Sequence, residues 1–181
     1  AQRYPNDFDG ISAGAAVMRY EALNAGHTWL LQRTFRDKLA GNLAFDKDGD
    51  GTPESLTKLN LLHDAVLARC DARDGIKDGV VDNPLACDFV PVRDLAAKMC
   101  ANDVDADDCL TRRQLKTIED FYRGPYDSHG TSVIKGRVFG SEAGWSDYVP
   151  YAGNKMFPDN LFNARDHAAF LFYEKDPGVP V

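Results

Sequence analysis

Two short acidic stretches hold the densest chemistry in the chain. The first is Cys70-Asp-Ala-Arg-Asp-Gly-Ile-Lys-Asp-Gly-Val80. Asp71, Asp74 and Asp78 fall within eight residues of one another. Gly75 and Gly79 between them permit sharp turns. Carboxylates held that close repel unless a cation neutralises them. Calcium takes about six to eight oxygens from carboxylates, carbonyls and water. The side chains of Asp71, Asp74 and Asp78 with the carbonyls of Ile76 and Val80 supply most of such a shell. The competing reading is a solvated acidic loop. The second stretch, Asp46-Lys-Asp-Gly-Asp-Gly51, matches the opening of an EF-hand loop through Asp46, Asp48 and Asp50. The bidentate acid expected at its twelfth position is missing, because Thr57 stands there. Glu54 could assist through water, and a plain polar turn explains the stretch equally well.

Nucleophilic chemistry has the letters of a motif without its setting. A serine esterase places its nucleophile on a strained strand-to-helix turn, usually Gly-x-Ser-x-Gly. Gly10-Ile-Ser-Ala-Gly14 spells that pattern, but residues 9–14 read as strand and not as such a turn. Asp127-Ser128-His129 places three triad residue types side by side, but a triad needs groups that converge in space. A solvated turn accounts for it better. His63 sits near the apolar face of a helix and reads as packed. The four cysteines, Cys70, Cys87, Cys100 and Cys109, lie in one stretch without a Cys-x-x-Cys pair, which disfavours zinc. Disulfides formed in an oxidising, secreted or periplasmic setting fit better. Three pairings are open on sequence grounds. The sequential one, Cys70–Cys87 with Cys100–Cys109, closes two short loops.

The elements that must position these groups are mostly helices. Residues 17–39 turn helical, with Leu31, Phe35 and Leu39 at steps of four and Gly41 as a stop. Thr52 caps a second helix with Pro53 at its first position, and Leu56, Leu59, Leu62, Val66 and Leu67 follow up to Arg69. Residues 70–91 read as loop, and 92–99 as a short helix. Thr111-Arg-Arg-Gln114 is a capping box opening a helix whose buried face is Leu115, Ile118, Phe121 and Tyr122, and Gly124 ends it. Residues 132–139 suggest a hairpin. Residues 165–175 suggest a last helix. Residues 9–14 read as a strand with no partner nearby, so its sheet must come from other sequence.

The composition is that of a globular protein, with 44% hydrophobic and 27% charged residues in a chain of 181. The net charge of −7 argues against a nucleic-acid partner. No apolar run is long enough to span a bilayer, which argues against a membrane partner. The chain opens at Ala1 without Met and reads as an excised or processed segment.

Several segments together resemble the tannase/feruloyl esterase family. Ala1-Gln-Arg-Tyr-Pro-Asn-Asp-Phe-Asp-Gly-Ile-Ser-Ala-Gly-Ala15 is similar to the stretch following that family's nucleophile elbow, with Ala16 where the family usually has Pro. The stretch from Cys70 to Cys87 resembles the family's calcium loop and the disulfide closing it. Cys109-Leu-Thr-Arg-Arg-Gln114, Tyr122-Arg-Gly-Pro125 and Gly140-Ser-Glu-Ala-Gly-Trp145 match in order and spacing. The resemblance implies an α+β assignment: a mainly helical lid with a small β-hairpin and a calcium loop, plus one strand of an α/β-hydrolase core. It implies that residues 1–16 end the nucleophile helix and give one core strand, that 17–175 form the lid, and that 176–181 return toward the core. The Ser would lie before Ala1, and the Asp and His after Val181. Structural calcium would sit on Asp71, Asp74, Ile76, Asp78 and Val80. The partners would be the hydrolase core of the same enzyme and an aromatic carboxylic ester. Trp145, with Phe157 and Phe162, would line the aromatic-acyl pocket, against the alternative that each is a packed core ring.

Three functions compete on these grounds: an esterase lid, a standalone calcium-stabilised binding module, and an inert fragment. An unpaired strand at 9–14 favours the first.

Overall fold

The computed structural model describes residues 19–153 without a break, together with residues 6, 7, 9, 10, 12, 14 and 166. Four α-helices carry the described part: α1 (Tyr20–Phe35), α2 (Thr57–Cys70), α3 (Pro91–Asp94) and α4 (Arg112–Arg123). Short 3-10 turns fill the links at Asp71–Asp74, Pro84–Ala86, Ala96–Lys98 and Ala101–Asp103, and a longer one spans Glu142–Tyr148. Strand pairing among the described residues consists of three isolated bridges, Phe45–Ser55, Met99–Leu110 and Tyr126–Ser132. The expected hairpin over 132–139 is therefore replaced by a tight turn closed by Tyr126 and Ser132. Asp127 holds that turn by accepting from the amides of His129 and Thr131.

The helix expected over 92–99 is split into α3 (Pro91–Asp94) and the 3-10 turn Ala96–Lys98. Two further helix boundaries differ from expectation, each for a local reason. α1 stops at Phe35 instead of reaching Leu39, because Asp37, Lys38 and Leu39 all take positive φ, at 56°, 56° and 65°. That region is unfavourable for L-residues and cannot continue a right-handed helix. α2 opens at Thr57, not after Thr52. The backbone bridge between Phe45 and Ser55 holds 52–55 out of the helix, and the Ser55 hydroxyl accepts from the amide of Thr57. α4 follows its sequence signals closely. The Thr111–Gln114 capping box is formed in both directions, and Gly124 at φ 78° ends the helix.

One core joins the pieces. α1 packs on α4, and α2 packs on the Glu142–Tyr148 turn. Leu43, Leu62, Val66, Leu95, Leu110, Ile118, Phe121 and Val149 are all fully buried. Lys58 is buried with them at 0% exposure, which a lysine tolerates only when paired. Its Nζ donates to Asp105 Oδ1 at 2.8 Å, to Gln114 Oε1 at 3.3 Å and to the carbonyls of Ala106 and Cys109. One side chain thus ties α2 to the loop before α4. The disulfides join Cys70 to Cys87 and Cys100 to Cys109.

Of the strand expected over 9–14, Asp9, Gly10, Ser12 and Gly14 are described, as bends or irregular backbone. The remainder of that strand, most of the helix expected over 165–175, and the return segment 176–181 lie outside the described residues. So do Phe157 and Phe162.

Candidate functional site

The two acidic loops fold differently. In 46–54, the Phe45–Ser55 bridge folds the chain back on itself. Glu54 then lies over the turn, and its Oε2 accepts from the Lys47 amide at 2.9 Å. The carboxylates of Asp46, Asp48, Asp50 and Glu54 come within 4.8 Å of one another. Glu54 therefore joins the cluster at the ninth place of the loop, because a bridge closes this loop and a helix does not. Each carboxylate also spends oxygens on its own turn. Asp46 accepts from Gly49 and Gly51, Asp48 from Asp50, and Asp50 from Thr52.

The loop at 71–80 does not gather Asp71, Asp74 and Asp78 into one such cluster. Its carboxylates cap separate turns. Asp71 is 5% exposed, and its Oδ1 accepts from the amides of Asp78 at 3.2 Å and Gly79 at 3.0 Å. Asp74 accepts from the Ile76 amide at 2.8 Å, and Asp78 from the Val80 amide at 3.1 Å. Ile76 and Val80 themselves are exposed. The loop is fixed at its base by the Cys70–Cys87 bond and by an exposed ionic knot. Arg69 and Arg73 both pair with Asp88, and Arg69 does so through two parallel bonds of 2.8 and 2.7 Å. The Arg69 hydrogen bond is the main cause holding the Asp88 carboxyl below its ordinary range, with the charge of Arg73 adding to it.

Trp145 sits in the centre of the molecule at 1% exposure. Its ring lies 4.9 Å from that of Phe121 and 5.0 Å from that of Tyr122. Its Nε1 donates to Ser141 Oγ at 3.1 Å. With the ring enclosed on its faces and its polar atom satisfied, Trp145 occupies a core position in this structure and offers no free face to a ligand.

Next to it lies a buried polar network that the sequence did not announce. Glu142 is fully buried. Its Oε1 accepts from the Tyr122 hydroxyl at 2.7 Å and the Gly140 amide at 3.0 Å, and its Oε2 lies 3.0 Å from His63 Nδ1. Burial first, and then the Glu142 charge, push the Tyr122 phenol far above its ordinary range. Tyr122 therefore stays a neutral donor. His63, read from sequence as packed, is the group that satisfies Glu142 from α2. His27 faces Tyr148 across 3.2 Å, and the Asp127 carboxylate holds backbone amides.

These features define a disulfide-braced helical domain with a sealed aromatic centre and two oxygen-rich loops. The chain belongs to the tannase and feruloyl esterase family, whose model matches residues 1–169. Over 94% of its length it is 28% identical to a probable feruloyl esterase B-1 of Aspergillus flavus. Over 74% of its length it is 34% identical to the mono(2-hydroxyethyl) terephthalate hydrolase of Piscinibacter sakaiensis. The fold is similar to the crystal structure of feruloyl esterase B from Aspergillus oryzae, with a TM-score of 0.70 at 23% identity over 98% of this chain and 32% of that one. The chain spans 32% of the Aspergillus flavus relative and 23% of the Piscinibacter one. No described helix is long and apolar enough to cross a membrane.

Proposed function

We propose that this chain is the lid segment of a secreted tannase/feruloyl esterase-type serine hydrolase, covering the site where an aromatic carboxylic ester is cleaved. In this reading residues 17–175 form the lid, while 1–16 and 176–181 join it to an α/β-hydrolase core that carries Ser, His and Asp. The chemistry would be acyl-enzyme hydrolysis with an oxyanion hole. The lid's part is to exclude water and shape the acyl pocket. The observation that carries the reading is a family match along almost the whole chain combined with its span of only 32% of the Aspergillus flavus relative. Ser12, in Gly10-Ile-Ser-Ala-Gly14, is the one serine here with the letters of a nucleophile motif, and the test below addresses it. The packing of Trp145 favours a structural part for that ring, and any pocket wall would fall to other aromatics, with Phe157 and Phe162 still candidates.

Calcium at 71–80 belongs to the same proposal. Asp71 is a buried carboxylate without an ion pair to a described lysine or arginine; among the described residues it accepts from two backbone amides. Asp74 and Asp78 each use Oδ1 on the backbone. The donor set of Asp71, Asp74 and Asp78 with the Ile76 and Val80 carbonyls is all oxygen, which suits a hard cation. Calcium there would neutralise charge and stiffen the loop, with no part in bond cleavage.

The test is an assay of the purified 181-residue chain against aryl and alkyl esters, with a serine-directed phosphonate as a label. No turnover above background and no labelled serine are expected. Hydrolysis abolished by the phosphonate would overturn the proposal, because the nucleophile would then lie within this chain.

A further inference from the structure

The chain carries a second aromatic surface, and this one is open. The arm 134–137 crosses the end of α4 with backbone against backbone. A Cβ on Gly136 would meet the Tyr122 carbonyl oxygen at 2.1 Å, and one on Gly124 would meet the Ile134 oxygen at 2.6 Å. Only glycine fits at either place, and Gly124 also needs its φ of 78°. The Arg137 amide donates to the Phe121 carbonyl at 2.8 Å and fixes the crossing.

This crossing leaves a groove of about 430 Å³ beside it, within the usual range of small-molecule sites. Its apolar side is built by Tyr122, Tyr126 and Phe139, with the 96% exposed Leu85 at its edge. Its polar side is built by Arg123, Lys135 and Arg137. No described Asp or Glu lines it, although the chain has 28 acidic residues against 21 lysines and arginines. None of the three cations forms a salt bridge with a described residue; Arg123 stacks over Tyr126 at 4.2 Å and Arg137 over Tyr148 at 4.3 Å. Among the described residues three arginines bury a side-chain Nε with no hydrogen-bond acceptor: Arg33, Arg113 and Arg137. Arg33 and Arg113 have acidic neighbours in Asp120 and Asp37, whereas Arg137 has none among the described residues. A buried donor without an acceptor is costly, and the Arg137 charge is left without a described counter-ion.

We propose that this groove binds a small aromatic acid, with its carboxylate at Arg137 and Lys135 and its ring against Tyr126 and Phe139. A guanidinium grips a planar carboxylate through paired bonds, and flat rings gain from edge or offset stacking. The occupant follows from the coincidence of unpaired cations with aromatic walls. The groove is built from this chain's own residues, so the result does not depend on where the hydrolase's nucleophile lies.

The experiment is an amide NMR titration of the 181-residue chain with 4-hydroxybenzoate, with neutral 4-hydroxybenzamide and inorganic phosphate run in parallel. Shifts centred on Arg123, Tyr126 and 135–139 are expected with the benzoate. It should bind about tenfold more tightly than the amide or phosphate, as the loss of one charge-assisted contact or of the ring implies. Arg137→Gln should weaken it about tenfold and Lys135→Gln about threefold, the second being exposed and screened. If loss of the Tyr148 stack unfolds the Arg137 variant, Lys135→Gln and Arg123→Gln carry the test. Equal affinity for the amide would remove the carboxylate from the proposal, and equal affinity for phosphate would remove the ring. Either result overturns it, as does unchanged benzoate affinity in the folded variants.

Discussion

The loops at 46–54 and 71–80 have nearly the same composition and reach opposite solutions. The first brings four carboxylates together but leaves them at the surface and uses their oxygens to hold its own turn. The second keeps its carboxylates apart, yet buries Asp71 and fixes the base with a disulfide and the Arg69–Asp88–Arg73 knot. Proximity of acids and burial of an acid are therefore separate properties. Carboxylate oxygens accept from backbone amides in both loops, so burial and bracing are what separate them. A buried carboxylate without a described ion pair has more to gain from a cation than exposed ones do.

The largest effect separates both loops from the core they hang on. Trp145→Ala should cost about 3–5 kcal/mol of stability by opening a cavity between Phe121 and Tyr122. In a complete enzyme carrying this segment it should depress turnover of aromatic and aliphatic esters alike. Denaturant unfolding combined with kinetics on both ester classes checks this. A selective loss for aromatic esters with unchanged stability would return Trp145 to the pocket wall.

Next, replacing Cys70 and Cys87 together by Ala should cost about 3 kcal/mol on the loop-entropy account and should loosen 71–80 while leaving 46–54 intact. Hydrogen exchange at the two loops reads the difference. Equal loosening of both loops would mean that the disulfide braces the whole domain and not one loop. Asp48→Ala removes one hydrogen bond of a surface turn, to the Asp50 amide, and should cost no more than about 1 kcal/mol. A much larger loss, seen only when calcium is present, would show that the gathered loop is the one that uses it.

The smallest effect concerns the base of the braced loop in acid. The Asp94 carboxyl is lowered from 3.8 to about 2, first by the Arg93 hydrogen bond and then, against opposing burial, by the Val90 amide. A carboxyl whose pKa is depressed in the folded protein stabilises it above the ordinary value, and that contribution is lost as pH falls from 3.8 toward about 2. The melting curves of the wild type and Asp94→Asn should therefore differ at about pH 5 and converge near pH 2. The gap should be small, because the Arg93–Asp94 pair is open to solvent. A gap that persists at the lowest pH would mean that the Asn substitution acts through packing.

What the sequence disclosed follows the range of the interaction. The Thr111–Gln114 capping box and the Gly124 stop are local, and both are legible in a handful of residues. The start of α2 and the arrival of Glu54 depend on the Phe45–Ser55 bridge, which no helical period signals. The burial of Lys58 and the Glu142–His63–Tyr122 network depend on partners drawn from different elements; a charged residue in a sequence reads as surface. Trp145 was undecidable for another reason: a large aromatic looks the same in sequence whether it faces a core or a ligand. The groove was not legible: Gly124 reads as a helix stop, its close approach to 134–136 shows only in the fold, and the groove's cations resemble any others until their missing partners are seen.

The central claim is that the braced loop is the one that takes calcium. Its most direct test is calorimetric titration of the metal-free 181-residue chain with calcium, alongside thermal melts, for the wild type, Asp74→Ala and Asp48→Ala. The wild type should bind one ion and gain about 2.7 kcal/mol when free calcium is one hundred times its dissociation constant. Magnesium should do less, since its tighter octahedral shell suits backbone carbonyls poorly. Asp74→Ala should lose most of this response and Asp48→Ala little of it. No heat of binding and no shift in the wild-type melt, or a response lost in Asp48→Ala and kept in Asp74→Ala, would contradict the claim.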